Sequence, residues 1–200
     1  MFCAGTIASF NWDTSSTTPL DSNTALTSAH LSNQRYDICI RRASGYCSIC
    51  YTPHVLSTAA NAATSFGISA CDPTVAASCE SATDTLCTGI TTLTPGTANT
   101  NFGYGDYLEI PNFQKANGVD GTIGGNKICG GVFNSIISEA GQETLCSFTT
   151  PFRLGVTFDQ DEAISLNTGD THDHLENEDS TAGSGIGYTG FWLDYWQNTC

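Results

Sequence analysis

The most reactive side chains in this 200-residue chain are ten cysteines. Cys47 and Cys50 form a CxxC, the spacing of zinc ligands and of thioredoxin-like redox pairs. The pair falls inside an apparent strand, 46–52, where residues three apart point to opposite faces. Two such cysteines cannot easily share a metal or bridge each other, so separate structural disulfides are expected. A zinc site would also need a second ligand pair at matching distance, and the sequence has none. His172-Asp173-His174, amid Asp170, Glu176, Glu178 and Asp179, has the residue types of a surface metal binder. Its Gly, Thr and Ser neighbours favour a solvated acidic loop instead.

Nucleophilic and phosphate chemistry find less support. There is no HExxH and no GxSxG elbow, and Gly183-Ser184-Gly185 lacks the spacing. The glycines of 118–127 lack the order of a phosphate loop before Lys127. Four histidines among many Ser and Asp would permit an imagined triad in almost any arrangement, so composition lends that idea no weight. The expectation is a protein that is not an enzyme.

Charge and composition narrow the partners. Six Lys and Arg against twenty Asp and Glu give a net charge of −14, which repels nucleic acid and anionic lipid. Calcium, cationic partners and neutral sugars stay open. Ten Phe, seven Tyr and three Trp supply enough apolar mass for a core. An even number of cysteines at this density points to an oxidising, extracellular compartment and a secreted protein. No stretch approaches the ~20 apolar residues of a membrane span. The opening residues lack the basic segment of a signal peptide, which implies either a mature chain or the C-terminal part of a longer secreted protein.

The elements that must position these residues read as strands. Candidates are 5–11, 36–42, 46–52, 65–70, 106–110, 145–149, 152–158 and 190–197. In 152–158, Phe152, Leu154, Val156 and Phe158 alternate with Arg153, Gly155 and Thr157, the period of a half-buried strand. Ala43-Ser44-Gly45 reads as a hairpin-like turn joining the second and third strands. The last strand is aromatic on both faces and is expected to be well covered. Residues 55–63 and 132–140 could each hold a short turn of helix. Long segments rich in small residues, about 14–30, 53–104 and 165–188, read as loop insertions. Within the second, Cys71, Cys79 and Cys87 are spaced by eight, so disulfides are expected to tie it down. The pattern predicts an all-β sandwich in a single domain over residues 1–200.

Six motifs in order resemble the CUB domain family. Cys3-Ala4-Gly5-Thr6-Ile7 looks like its opening CGGxI, and Tyr36-Asp37-Ile38-Cys39-Ile40 like its CxWxI, with Ile40 in place of Trp. Asp106-Tyr107-Leu108-Glu109-Ile110 is similar to DYLEI, and Ile128-Cys129-Gly130 to YCG. Phe158 to Glu162 resembles FxSD, and Gly190 to Tyr195 the closing GFxLxY. More narrowly, the chain looks like secreted arthropod CUB-domain proteins. The resemblance implies a disulfide-rich, CUB-like jelly-roll β-sandwich of antiparallel strands. It implies a Cys3–Cys39 disulfide, and Cys129 paired with a cysteine before Asp106, with Cys87 the candidate. Cys47, Cys50, Cys71, Cys79, Cys146 and Cys200 exceed the usual family set, with pairings left open. The family's calcium site maps onto Asp106 and Asp161, with Glu162 as a compensating ligand, because the usual third carboxylate is missing near Ser69. No cofactor other than calcium is expected.

Three functions follow from these features. The leading one is a secreted, non-enzymatic recognition module that mediates protein–protein interaction. The second is a structural subunit that assembles with itself into an extracellular filament, coat or matrix. The third is a carbohydrate binder like single-CUB proteins, whose aromatic rings stack on sugars.

Overall fold

The computed structural model describes residues 3–10, 12, 31, 33–55, 65–68, 81–83, 87, 106–116, 126–130, 132–135, 141–158 and 190–200. Their strands are β1 (Ala4–Ala8), β2 (Gln34–Ile40), β3 (Tyr46–Pro53), β4 (Phe66–Gly67), β5 (Ser81–Thr83) and β6 (Tyr107–Glu109). Then come β7 (Gln114–Lys115), β8 (Lys127–Gly130), β9 (Leu145–Ser147), β10 (Phe152–Phe158) and β11 (Gly190–Thr199). They form two antiparallel sheets and no helix among the described residues. One sheet runs β1-β11-β3-β9-β7, with β4 on the end of β11; the other runs β2-β10-β6-β8-β5. The protein is a β-sandwich rich in disulfides.

Strand alternation makes the core. In β10 the even positions Phe152, Leu154, Val156 and Phe158 turn inward and are buried, as the period-two pattern requires. Leu108 and Ile128 join them from the same sheet. Ile49, Tyr51, Leu145, Phe191 and Leu193 face them from the other sheet. Tyr195 packs on the edge of this core by lying over Gly5, its cross-strand partner. A Cβ at Gly5 would stand 2.9 Å from the Tyr195 ring, so the missing side chain makes room for the aromatic one.

The turn at 43–45 is present, but it does not make a hairpin. The Tyr46 amide donates to the Ala43 carbonyl, and Gly45 takes the left-handed φ of 81° that favours glycine. Yet β2 pairs with β10 and β3 with β11 and β9, so the turn carries the chain from one sheet to the other. Gln197, buried inside the end of β11, holds it there. Its Oε1 accepts from the Ala43 amide at 2.9 Å, and its Nε2 donates to the Arg41 carbonyl at 2.9 Å.

Three other expectations need correction. Three strands lie outside the segments read as strand: β5 in the second insertion, β7 just after β6, and β8 at the Ile128-Cys129-Gly130 motif. Of the two proposed helical turns, Val55 and 132–135 are described and neither is helical. The last strand is covered on one face: Phe191 and Leu193 are fully buried, whereas Trp192, Asp194 and Trp196 on the other face are partly exposed.

The described cysteines form three disulfides. Cys47 bonds Cys200, Cys50 bonds Cys146 and Cys87 bonds Cys129. The two cysteines of the CxxC thus go to different partners, as alternation along β3 demands. Cys50 and Cys146 sit directly opposite each other on β3 and β9. The implied Cys3–Cys39 bond is absent: both residues are unbonded. On β2, Tyr36, Ile38 and Ile40 take the inner face, so Cys39 projects from the solvent face of its sheet, while Cys3 precedes β1 in the other sheet. Cys71 and Cys79 lie outside the described residues.

Candidate recognition surface

The register sorts the connections by length. Phe158, the last residue of β10, pairs with Gln34, the first of β2, and Thr157 pairs with Tyr107, the first of β6. In the other sheet, Ala8 ends β1 opposite Trp192, and Pro53 ends β3 opposite Leu193, close to the start of β11. The connections 9–33, 54–65 and 159–189 therefore all attach at one end of the sandwich. At the opposite end the chain turns within a few residues at 41–45, 110–113 and 148–151, and the longer connections 84–105 and 116–126 each have one terminus there, at Thr83 and Lys127.

Asp106 belongs to the long-connection end. It is 2% exposed and stands just before β6, beside the strand position that Phe158 occupies. The chain leaves β10 there toward 159–162, so the sheet brings Asp106 and the start of that segment to one edge. Asp161 and Glu162 lie outside the described residues, as do His172 and His174. Calcium prefers six to eight oxygens. Among the described residues no group of three His, Cys, Asp or Glu gathers, and Asp106 is a single, already partnered carboxylate. These residues do not by themselves compose a calcium site.

The same end carries a polar cluster that the sequence did not advertise. His54, just past β3, places Nδ1 2.8 Å from Asp194 Oδ1, and its ring stacks on Trp192 at 3.8 Å between centroids. The His54 amide and the buried Ser65 hydroxyl both donate to the Trp192 carbonyl, at 2.9 and 2.8 Å. Ser65 thus spends its hydroxyl proton on a backbone carbonyl. His54 and Asp194 are 140 residues apart, and only the β3–β11 register brings them together.

On the outer face of the five-stranded sheet, Arg153 bridges two neighbouring strands. Its guanidinium donates to Asp37 on β2 at 3.1 Å and to Glu109 on β6 at 2.8 Å. Gly155 lies directly opposite both Asp37 and Glu109, and a Cβ there would be 3.1 Å from the Glu109 Cβ. The absent side chain lets the two carboxylates close in on Arg153. Lys127 sits over the Tyr107 ring at 4.3 Å, and beside it Tyr107 packs on the buried Cys87–Cys129 bond. These contacts tie strands together across the sheet and offer no reacting group. No described helix is long and apolar enough to cross a membrane.

A comparison with curated proteins and with solved structures finds no match to this chain. The family model of the animal CUB domain does match, over residues 3–198. Domains of this family commonly mediate extracellular protein interactions and are generally non-enzymatic binding modules; they and their disulfides are typical of extracellular proteins. With two antiparallel sheets, three disulfides among the described residues and a match across nearly its whole length, the chain belongs to the CUB domain family.

Proposed function

We propose that this chain is a secreted, non-enzymatic recognition module that binds another extracellular protein through the long-connection end of its sandwich. The observation that carries this reading is the asymmetry of the two ends. The turns at 41–45, 110–113 and 148–151 gather at one end, where 84–105 and 116–126 also attach on one side, whereas 9–33, 54–65 and 159–189 attach at the other with both of their termini, next to Asp106. Loops on a rigid β-scaffold supply variable contact surface without disturbing the core. The likeness to secreted arthropod CUB proteins agrees with such a role.

The test is the solution mass of the non-reduced protein by sedimentation, with calcium and then with chelator. The expected result is a monomer in both conditions, leaving the loop end to a heterologous partner. Large calcium-independent species at low concentration would replace this reading with the self-assembling structural subunit. A mass or shape that changes on chelation would assign a calcium ion to the Asp106 end, with Asp161 and Glu162 as the ligands to substitute next.

A further inference from the structure

A different surface, the outer face of the six-stranded sheet, carries a second binding chemistry. Because Phe191 and Leu193 point into the core, the pleat turns Trp192, Asp194 and Trp196 outward in a row along β11. Both tryptophans remain partly exposed. On the flanking strand β1, their outward partners are Ala8 and Ala4, which are too small to wall them in. Between the two indoles, Asp194 is flanked by Thr6 on β1 and Thr52 on β3. His54 fixes one end of the row from the β3 side, stacked on Trp192 and bonded to Asp194.

The geometry points to an extended, neutral oligosaccharide as the ligand of this face. A pyranose ring offers an apolar C–H face that stacks on an indole and a rim of hydroxyls that bond carboxylates and threonines. The row alternates those two needs: aromatic, hydrogen-bonding, aromatic. Four residues of strand separate the indoles by about 14 Å, so one sugar cannot touch both and a chain of several units is required. The small residues on β1 leave the row open to one side, which suits a ribbon lying across the sheet. A protein partner fits less well, because charged residues are depleted from the cores of protein interfaces and Asp194 lies in the middle of this row. Desolvating that carboxylate needs hydrogen-bond donors, which sugar hydroxyls provide. The net charge of −14 selects against sulfated and uronic-acid chains and against a second copy of this protein.

The experiment uses the full chain with its disulfides intact and two neutral β1,4-linked probes, cellohexaose and chitohexaose, with cellobiose as the short control. Calorimetry should show binding of at least one hexasaccharide, at least tenfold tighter than cellobiose. Trp192→Ala and Trp196→Ala should each weaken it about tenfold or more. Arg153→Ala, on the outer face of the five-stranded sheet, should leave it unchanged. Should the tryptophan variants fold poorly, the wild-type indole Nε1–H signals report directly: those of Trp192 and Trp196 should move on adding the hexasaccharide. No binding of either hexasaccharide overturns the proposal, as does binding that leaves both signals unmoved or is no tighter than that of cellobiose. Signals that move with protein concentration alone would assign the face to a second copy and overturn it equally.

Discussion

The two ends of the sandwich are built on different principles. At the short-connection end, side chains substitute for loop length. Gln197 clamps the 41–45 turn, Asn112 bonds Thr149 across two turns at 3.1 Å, and the Ser147 hydroxyl donates to the Pro111 carbonyl. These bonds join residues 36 to more than 150 positions apart, so they hold that end of the sandwich closed. At the other end His54 and Asp194 are about one-third exposed and the connections are long. Closure is concentrated at one end and available contact surface at the other, which is how a rigid scaffold presents a variable surface.

The largest perturbation attacks the frame that both ends share. Cys50–Cys146 closes a separation of 96 residues, for which the chain-entropy account gives about 4–5 kcal/mol. The double variant Cys50→Ala/Cys146→Ala should therefore lose several kcal/mol in urea unfolding. A loss below about 1 kcal/mol would mean that pairing of β3 with β9 and β11 suffices without the bond.

The comparison itself is tested by one substitution at each end. Gln197→Ala leaves the Ala43 amide and the Arg41 carbonyl without their partner and should cost about 2–3 kcal/mol. His54→Ala removes one partly exposed hydrogen bond to Asp194 and one ring stack, and should cost about 1 kcal/mol or less. Equal losses in chemical unfolding would erase the distinction between a structural end and a presenting end.

Much of this frame was legible locally, for a physical reason. A strand with one face in the core writes its alternation into the sequence, so 152–158 could be bounded to the residue and 46–52 to within one. Short strands do not: Ser81–Thr83 and Gln114–Lys115 are too short and polar to show a period, and they exist because β8 and β9 offer them an edge. The 43–45 turn looked like a hairpin because three residues between two strand-like runs are locally identical whether the strands pair or part. Gln197, more than 150 residues away, marks the parting. For the surface, Asp106 was visible through its motif, but the His54–Asp194–Trp192 cluster depends on register between distant strands. Cys39 was misassigned because the motif gave its position without the face on which β2 presents it.

Alkaline pH separates the shared core from both ends more gently. Tyr51 is fully buried, and burial first, then the neighbouring Tyr195, raises its pKa far above the ordinary value of 10.0. Its hydroxyl has no hydrogen-bond partner. The folded state keeps this proton where the unfolded chain loses it, so unfolding is favoured as pH rises past 10. The stabilisation is complete below pH 10 and falls by up to about 1.4 kcal/mol per pH unit above it. Tyr51→Phe should flatten that decline and cost little near neutrality, because the hydroxyl it removes is unsatisfied. An unchanged alkaline slope in Tyr51→Phe would assign the decline to other groups, with Tyr36, also raised mainly by burial, the next to substitute.

The smallest expected effect concerns a contact that looks strong on paper. Arg153 joins Asp37 and Glu109 across three strands at 3.1 and 2.8 Å, yet the three side chains are 37%, 51% and 32% exposed. Water and salt screen such pairs, and holding three long side chains offsets part of the Coulomb gain. Arg153→Ala should therefore lower stability by about 1 kcal/mol or less at low ionic strength, and by less still at high salt. The inner face of β2, where Tyr36, Ile38 and Ile40 meet the core, is what holds that edge strand in place. A loss above about 2 kcal/mol that persists in high salt would show the reverse. The outer face of the five-stranded sheet would then be a structural clasp, and the contrast between closing and presenting regions would extend from the ends of the sandwich to its faces.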